Sequence, residues 1–194
     1  MHSLFVDSTS GLVIGLLNPQ YEWVECLEFD EKKPSEIIHF EIFNLLKKYD
    51  LELNKMRAFV SNGPGSYTGM RLSEGIAQIL ELSQMPVYSF YHFDVPRFSG
   101  ILAGFWVTNA FKGQVFVYTW DKESQDKHLI DKGSFAMKSI SSGYTLDLTD
   151  PLFSTLISTK RLIKEQPSRI FSYVAENKIR EAPYYFRTLE EEFR

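Results

Sequence analysis

Of the 194 residues only one is cysteine, Cys26, so no disulfide can form within the chain. Its place in a strand-like run points to packing rather than chemistry, and an unpaired thiol suits a reducing compartment. Long hydrophobic runs are also missing, since none approaches the ~18–20 residues that span a bilayer. Met1-His2-Ser3-Leu4-Phe5-Val6-Asp7 has no basic stretch followed by a long apolar one. Neither a signal peptide nor a membrane role is therefore expected, and the expected location is the cytoplasm. The four histidines, His2, His39, His92 and His128, never stand four residues apart. With a single cysteine beside them, no zinc or iron site is expected. A basic excess is absent too: 21 Lys and Arg face 25 Asp and Glu, for a net charge of −4. Basic residues gather only in pairs such as Lys32-Lys33, Lys47-Lys48 and Lys160-Arg161. Autonomous nucleic-acid binding, which rests on neutralising phosphates, is disfavoured.

What the chain does have is core-forming material. A hydrophobic fraction of 44% with 15% aromatics argues against wholesale disorder, and the length suits one compact domain or two small lobes. Ser3–Asp7, Val13–Leu17 and Tyr21–Phe29 read as three strands joined by tight turns, an antiparallel meander. Ser35 is the expected N-cap of a helix to about Tyr49, with Ile38, Ile42, Leu45, Leu46 and Tyr49 as its main apolar stripe. Ile37, Phe40 and Phe43 form a second apolar set on another side, to be covered either by a helix of this chain or by a partner. Arg57–Ser61, a helix from Thr68 to Ser83, and Val87–Tyr91 predict a right-handed parallel crossover. Gly104–Ala110 and Gln114–Trp120 read as a hairpin, His128–Ile130 as a third strand and Leu152–Ile163 as a helix. Ser134–Pro151 and Ile170–Ile179 stay unassigned, and Thr188–Arg194 reads as exposed helix. The expected lobes are 1–100 and a shorter 101–194.

The most informative stretch is Gly63-Pro64-Gly65-Ser66-Tyr67-Thr68-Gly69, set between a buried strand and a helix. Glycines allow close backbone approach, and a helix N-terminus offers unpaired N–H groups, so Gly63, Gly65 and Ser66 are candidates for holding a phosphate. A tight strand-to-helix connection accounts for the same residues. The loop lacks the Gly-Lys-Ser/Thr of a P-loop and the glycine spacing of a dinucleotide fold. In the following helix Leu72, Ile76, Ile79 and Leu80 form the expected core stripe. Gly69, Ser73 and Ala77 recur every four residues as a ridge of small groups against which a second helix could lie closely. Arg71, Glu74 and Gln78 lie nearby for polar contacts.

With Met70 and Arg71, this loop resembles the Gly-Pro-Gly-Ser-Phe-Thr-Gly-Leu-Arg signature of the bacterial TsaB (YeaZ) family. Phe5-Val6-Asp7-Ser8-Thr9 resembles that family's opening strand, and Pro86-Val87-Tyr88 its strand after the signature helix. Val107–Phe116 resembles a later strand–turn–strand, and Pro183–Arg187 a C-terminal Pro-x-Tyr-Leu-Arg. The resemblance implies an α/β fold of the actin-like ATPase (ASKHA, ribonuclease-H-like) class, with two lobes of mixed sheets and, here, a short second lobe. It implies a non-catalytic scaffold working with TsaD and the ATPase TsaE in threonylcarbamoylation of the tRNA adenosine next to the anticodon. The tRNA would be met only through the complex. No cofactor of its own is implied, though ATP or ADP could sit at the interface with TsaD. Homodimers would use the same face. On this reading the partner-binding residues are Ser35, Ile37, Phe40, Gly65, Ser66, Tyr67, Thr68, Gly69, Met70, Arg71, Ser73 and Ala77.

The chain departs from the family at Pro34, where the family has His, and at Asn109, Phe111 and Gln114, where it has Asp, Arg and Glu. The rival reading is a nucleotide-binding or ATP-hydrolysing enzyme that uses the Gly63–Gly69 loop and Asp7. No catalytic residue is assigned: Ser66 and Thr68 have no His or acid as an obvious base in the local sequence, and nothing supports proteolysis.

Overall fold

The computed structural model describes residues 1–30, 33–135, 142–146 and 148–186. Along the chain run β1 (Ser3–Asp7), β2 (Leu12–Leu17), β3 (Trp23–Phe29), α1 (Pro34–Lys48), β4 (Arg57–Ser61), α2 (Tyr67–Leu82) and β5 (Val87–Phe90). Then come α3 (Val95–Phe98), β6 (Gly104–Asn109), β7 (Gln114–Trp120), β8 (Gln125–Asp131), β9 (Gly143–Thr145), β10 (Ile157–Ser158), α4 (Thr159–Glu165) and α5 (Pro167–Glu176). They form two compact units, one of Met1–Tyr91 with Pro167–Tyr184, the other of His92–Gln166 with Tyr185 and Phe186. The division falls at Tyr91/His92 rather than near residue 100, and α5 with the chain after it as far as Tyr184 belongs to the first unit.

The first unit holds a five-stranded sheet in the order β3-β2-β1-β4-β5. β1, β2 and β3 are the expected antiparallel meander, while β4 and β5 join in parallel. Alternation along the strands sends Leu4, Val6, Ala58 and Val60 to one face, where Ile38, Ile42 and Leu45 of α1 and Ile76, Ala77 and Leu80 of α2 cover them. Phe5 and Phe59 point to the opposite face and meet Phe171 of α5, at centroid distances of 5.3 and 4.8 Å. α5, unassigned from sequence, starts with Pro167 and buries Ile170, Phe171 and Val174. After it, Ile179 O accepts from Ser89 N–H and Glu181 N–H donates to Ser89 O, so the tail lies along β5.

The second unit holds the order β10-β9-β6-β7-β8, with β6–β7–β8 antiparallel and β6–β9–β10 parallel. One sheet face carries Phe105, Val107, Val115 and Val117 against Phe153; Trp106, Phe116 and Tyr118 pack edge-on or tilted against Phe93 on the other. The helix expected over Leu152–Ile163 is instead a 3-10 turn (Pro151–Phe153), β10 and α4. Hydroxyl and β-branched residues at 154, 155 and 157–159 favour that break. Asn109, in place of the family's Asp, donates its Nδ2–H to Asp150 (2.8 Å), which Lys132 also engages. Thr188–Arg194, expected as helix, lies outside the described residues.

Candidate functional site

Pro34 occupies the first helical position of α1 with Lys33 as N-cap, so Ser35 sits exposed inside the first turn rather than capping it. α2 is capped by Ser66, whose Oγ accepts from Gly69 N–H at 3.3 Å. The loop before it is pinned to the β1–β2 turn. Ser66 N–H donates to Thr9 O at 2.7 Å, and Asp7 Oδ1 accepts from Thr9 N–H (2.9 Å) and Oγ1–H (2.6 Å). Gly63 is buried at φ +101°, a backbone state that suits glycine, with the Met70 side chain packed over it.

The small ridge faces the same turn. A Cβ on Gly69 would lie 1.8 Å from Ser8 O, so α2 approaches that backbone more closely than any side chain allows. Ser8 Oγ donates to Gly69 O at 2.7 Å and shares a 2.7 Å hydrogen bond with Ser73 Oγ. Ser73 and Ala77 are fully buried, and Met70 nearly so. Gly69, Met70, Ser73 and Ala77 are therefore held within the first unit, and the expectation that they meet a partner's helix is corrected. Spacing showed that this face of α2 is low in bulk; a turn 60 residues earlier fills the space.

Of the other expected contact residues, Gly65 packs on Thr9 and Ile37 on the core beneath α1. Arg71 is exposed with its guanidinium 4.8 Å from the Tyr67 ring centroid. Ser35, Ser66 and Thr68 come together with Lys33 around a recess of about 250 Å³. In the loop, Ser66 N–H and Gly69 N–H are already engaged inside the chain. That fits the tight-connection account of the glycines better than a phosphate cradle.

The larger concavity lies between α1 and α2. Its volume is about 540 Å³, floored by Ile42, Leu46, Ile76 and Leu80 and walled by Phe43 and Ile79. Leu51 and Leu53 also line it. Phe43 is 59% exposed and Ile79 54%, with Phe40 at 62% on α1 and Leu82 at 85% on α2. Ile79 had been expected in the core stripe, and neither it nor Leu82 was expected at a binding face. The signal was there: α2 carries more apolar positions than one buried stripe needs, and 79 and 82 are one step of three apart. Large apolar side chains grouped on neighbouring helices mark an interaction surface more often than chance exposure does.

On the opposite flank of α2, Arg180 reaches from the C-terminal tail to Glu74 (2.9 Å) and Glu81 (2.7 Å). Burial raises the Glu74 pKa, but hydrogen bonds from Arg180, Asn62 and Gln78 outweigh it and hold that carboxyl below its ordinary value. Among the described residues no cluster of His, Cys, Asp and Glu could hold a metal ion, and no helix is long and apolar enough to cross a membrane.

The sequence matches no protein-family model and no curated protein. Solved structures do match. YeaZ from Pseudomonas aeruginosa superposes with a TM-score of 0.64 at 16% identity, covering 95% of this chain and 99% of that one. An uncharacterized protein described as similar to peptidase YeaZ, also from Pseudomonas aeruginosa, gives 0.66 at 14% identity, covering 96% and 99%. Nearly complete coverage of both chains, together with two mixed five-stranded sheets, shows that this chain has the α/β fold of YeaZ over almost its whole length.

Proposed function

We propose that the chain is a non-catalytic scaffold subunit that docks through α1 and α2 onto a TsaD-like catalytic subunit. A TsaE-like ATPase would complete the assembly, whose product is threonylcarbamoylated adenosine beside the tRNA anticodon. The observation that carries this reading is the apolar groove between α1 and α2, with Phe40, Phe43, Ile79 and Leu82 standing out from a surface the chain's own core does not use. Burying such groups against a partner helix gains about 25 cal/mol per Å² of apolar area. The YeaZ-like fold and the glycine signature support the choice of partner. Contact with tRNA is then indirect, the protein works in the cytoplasm, and any ATP or ADP belongs to the junction rather than to this chain alone.

Co-purification with the TsaD-like protein of the same cell tests the reading. The wild-type chain is expected to pair, and the doubly substituted Phe43→Asp, Ile79→Asp chain to stay folded by circular dichroism but lose pairing. Unchanged pairing removes α1–α2 as the docking face. Depleting the chain is expected to remove the modification from tRNA; tRNA that keeps it removes the proposed role. Calorimetry with ATP on the isolated chain separates the scaffold from the rival reading, because tight binding by the chain alone favours a nucleotide enzyme.

A further inference from the structure

Residues 177–184 hold the glycine loop and α2 at several points. Where the loop begins, Asn62 Nδ2–H donates to Glu181 O at 2.7 Å, and Asn62 O accepts from Tyr184 N–H at 3.0 Å. Along α2, the Arg180 guanidinium donates to Glu74 through Nη1 (3.0 Å) and Nη2 (2.9 Å) and to Glu81 through Nε (2.7 Å). Seven residues separate the two acids, so one side chain grips two successive turns on one side of the helix. Arginine suits this work because its planar fork addresses two carboxylates at once, whereas lysine offers a single nitrogen. The fork is itself fixed: Nη1 also donates to Ser89 Oγ at 2.9 Å, and Ser89 Oγ accepts from Glu181 N–H at 2.7 Å. Tyr91 adds a further tie, donating its hydroxyl to Ala182 O at 2.8 Å.

The clamped helix is the one that walls the groove. Ile79 stands about 140° around α2 from Glu74, and Leu82 follows Glu81 directly, so clamp and groove wall lie on opposite flanks. Beyond Ser73 the helix rests on Ile76, Ala77 and Leu80. Such apolar packing is non-directional and sets how deep the helix sits, while hydrogen bonds on one flank resist its rolling. The Arg180 side chain is 26% exposed and that of Glu74 17%, which limits competition from water. Resting on the docking reading above, we infer that Arg180 is a positioning residue for docking. Without meeting the partner, it fixes how α2 presents Ile79 and Leu82, and the C-terminal strap is part of the binding face.

The test uses the full chain and the purified TsaD-like subunit. Arg180→Gln is expected to weaken pairing about fivefold while the chain stays folded by circular dichroism, and Arg180→Lys to fall between it and wild type. Hydrogen exchange on the chain alone should show amides 78–82 losing protection in Arg180→Gln while those of β1 keep theirs. A general loss of stability also lowers pairing, so Glu81→Gln is added to Arg180→Gln. If the clamp is the route, the double variant pairs no worse than Arg180→Gln; losses that multiply overturn the inference. Unchanged exchange in α2 overturns the clamp. Pairing that Phe43→Asp abolishes but Arg180→Gln leaves intact overturns the positioning role and keeps the docking face. No pairing by the wild-type chain overturns the docking reading and this inference together.

Discussion

The two units are built on one strand plan. In each, a central strand pairs antiparallel with the next strand and parallel with the third after it; a further strand joins antiparallel on the first side and parallel on the second, so β1 to β5 correspond in turn to β6 to β10. They differ in what the connections hold. In the first unit the connection into β4 contains the fifteen-residue α1 and the connection into β5 the sixteen-residue α2. At the matching places in the second unit, the described residues hold only short 3-10 turns, Lys132–Ser134 and Pro151–Phe153. A sheet face covered by aromatic side chains and turns can close a core. It takes two adjacent helices to leave a trough between them. The groove is therefore a property of the connections, and the shared strand order says nothing about it.

The comparison can be broken most forcefully at Phe171, which fills the first unit's sheet face opposite α1 and α2. Phe171→Ala is expected to cost about 4 kcal/mol. By hydrogen exchange, β4 amides should lose protection while those of β6 and β7 keep theirs; equal loss in both would show that the units do not fold as separate cores. Next in size, Gly69→Ala sets a methyl against Ser8 O and is expected to cost about 3 kcal/mol in denaturant unfolding. Arg180→Gln leaves Glu74 half-buried without its cation, at a cost of about 2 kcal/mol. Because the Glu74 pKa is lowered in the folded chain, its contribution is whole above the ordinary carboxylate range and lost as pH falls below it. The variant should therefore lose part of the acid dependence of wild-type stability.

The second unit has its own acid-sensitive tie. Hydrogen bonds from Lys132, Asn109 and the Leu152 N–H lower the Asp150 carboxyl from its ordinary 3.8 to about 2. That stabilisation is intact above pH 3.8 and disappears as pH falls through about 2, so Asp150→Ala should flatten the low-pH end of the stability curve. The smallest effect belongs to the groove. Phe43→Gln, at a position already 59% exposed, is expected to change stability by no more than about 0.5 kcal/mol while reducing partner binding. A large stability loss there would mean that the groove wall serves the core after all.

Much of the first unit was legible because its signals are local. The period-two strands, the stripe Ile38–Ile42–Leu45–Leu46 and the strand–glycine–helix junction all stand where the residues place them. The candidate site was legible by half. Phe40 is exposed on α1, as its place outside the main stripe predicts, but on α2 the small ridge was assigned outward and Ile79 inward, and both were the reverse. Helical spacing sorts residues into faces without saying what lies opposite each face; that Ser8 lies against Gly69 is a tertiary fact. In the second unit Leu152–Ile163 carries apolar residues at helical intervals, yet its hydroxyl and β-branched residues yield a turn and a strand. The start of α1 shows a subtler competition, in which Pro34 at the first helical position displaced Ser35 as cap.

The tail laid along β5 has a consequence for how the molecule can associate. With Ser89 bonded to Ile179 and Glu181, that border of the sheet has its backbone donors and acceptors occupied there by the protein's own tail. Strand-to-strand recruitment of a neighbour is closed at that border, and with it one common route to unwanted polymers. Encounters on this flank must proceed through side chains, which is the kind of contact that can distinguish one partner from another.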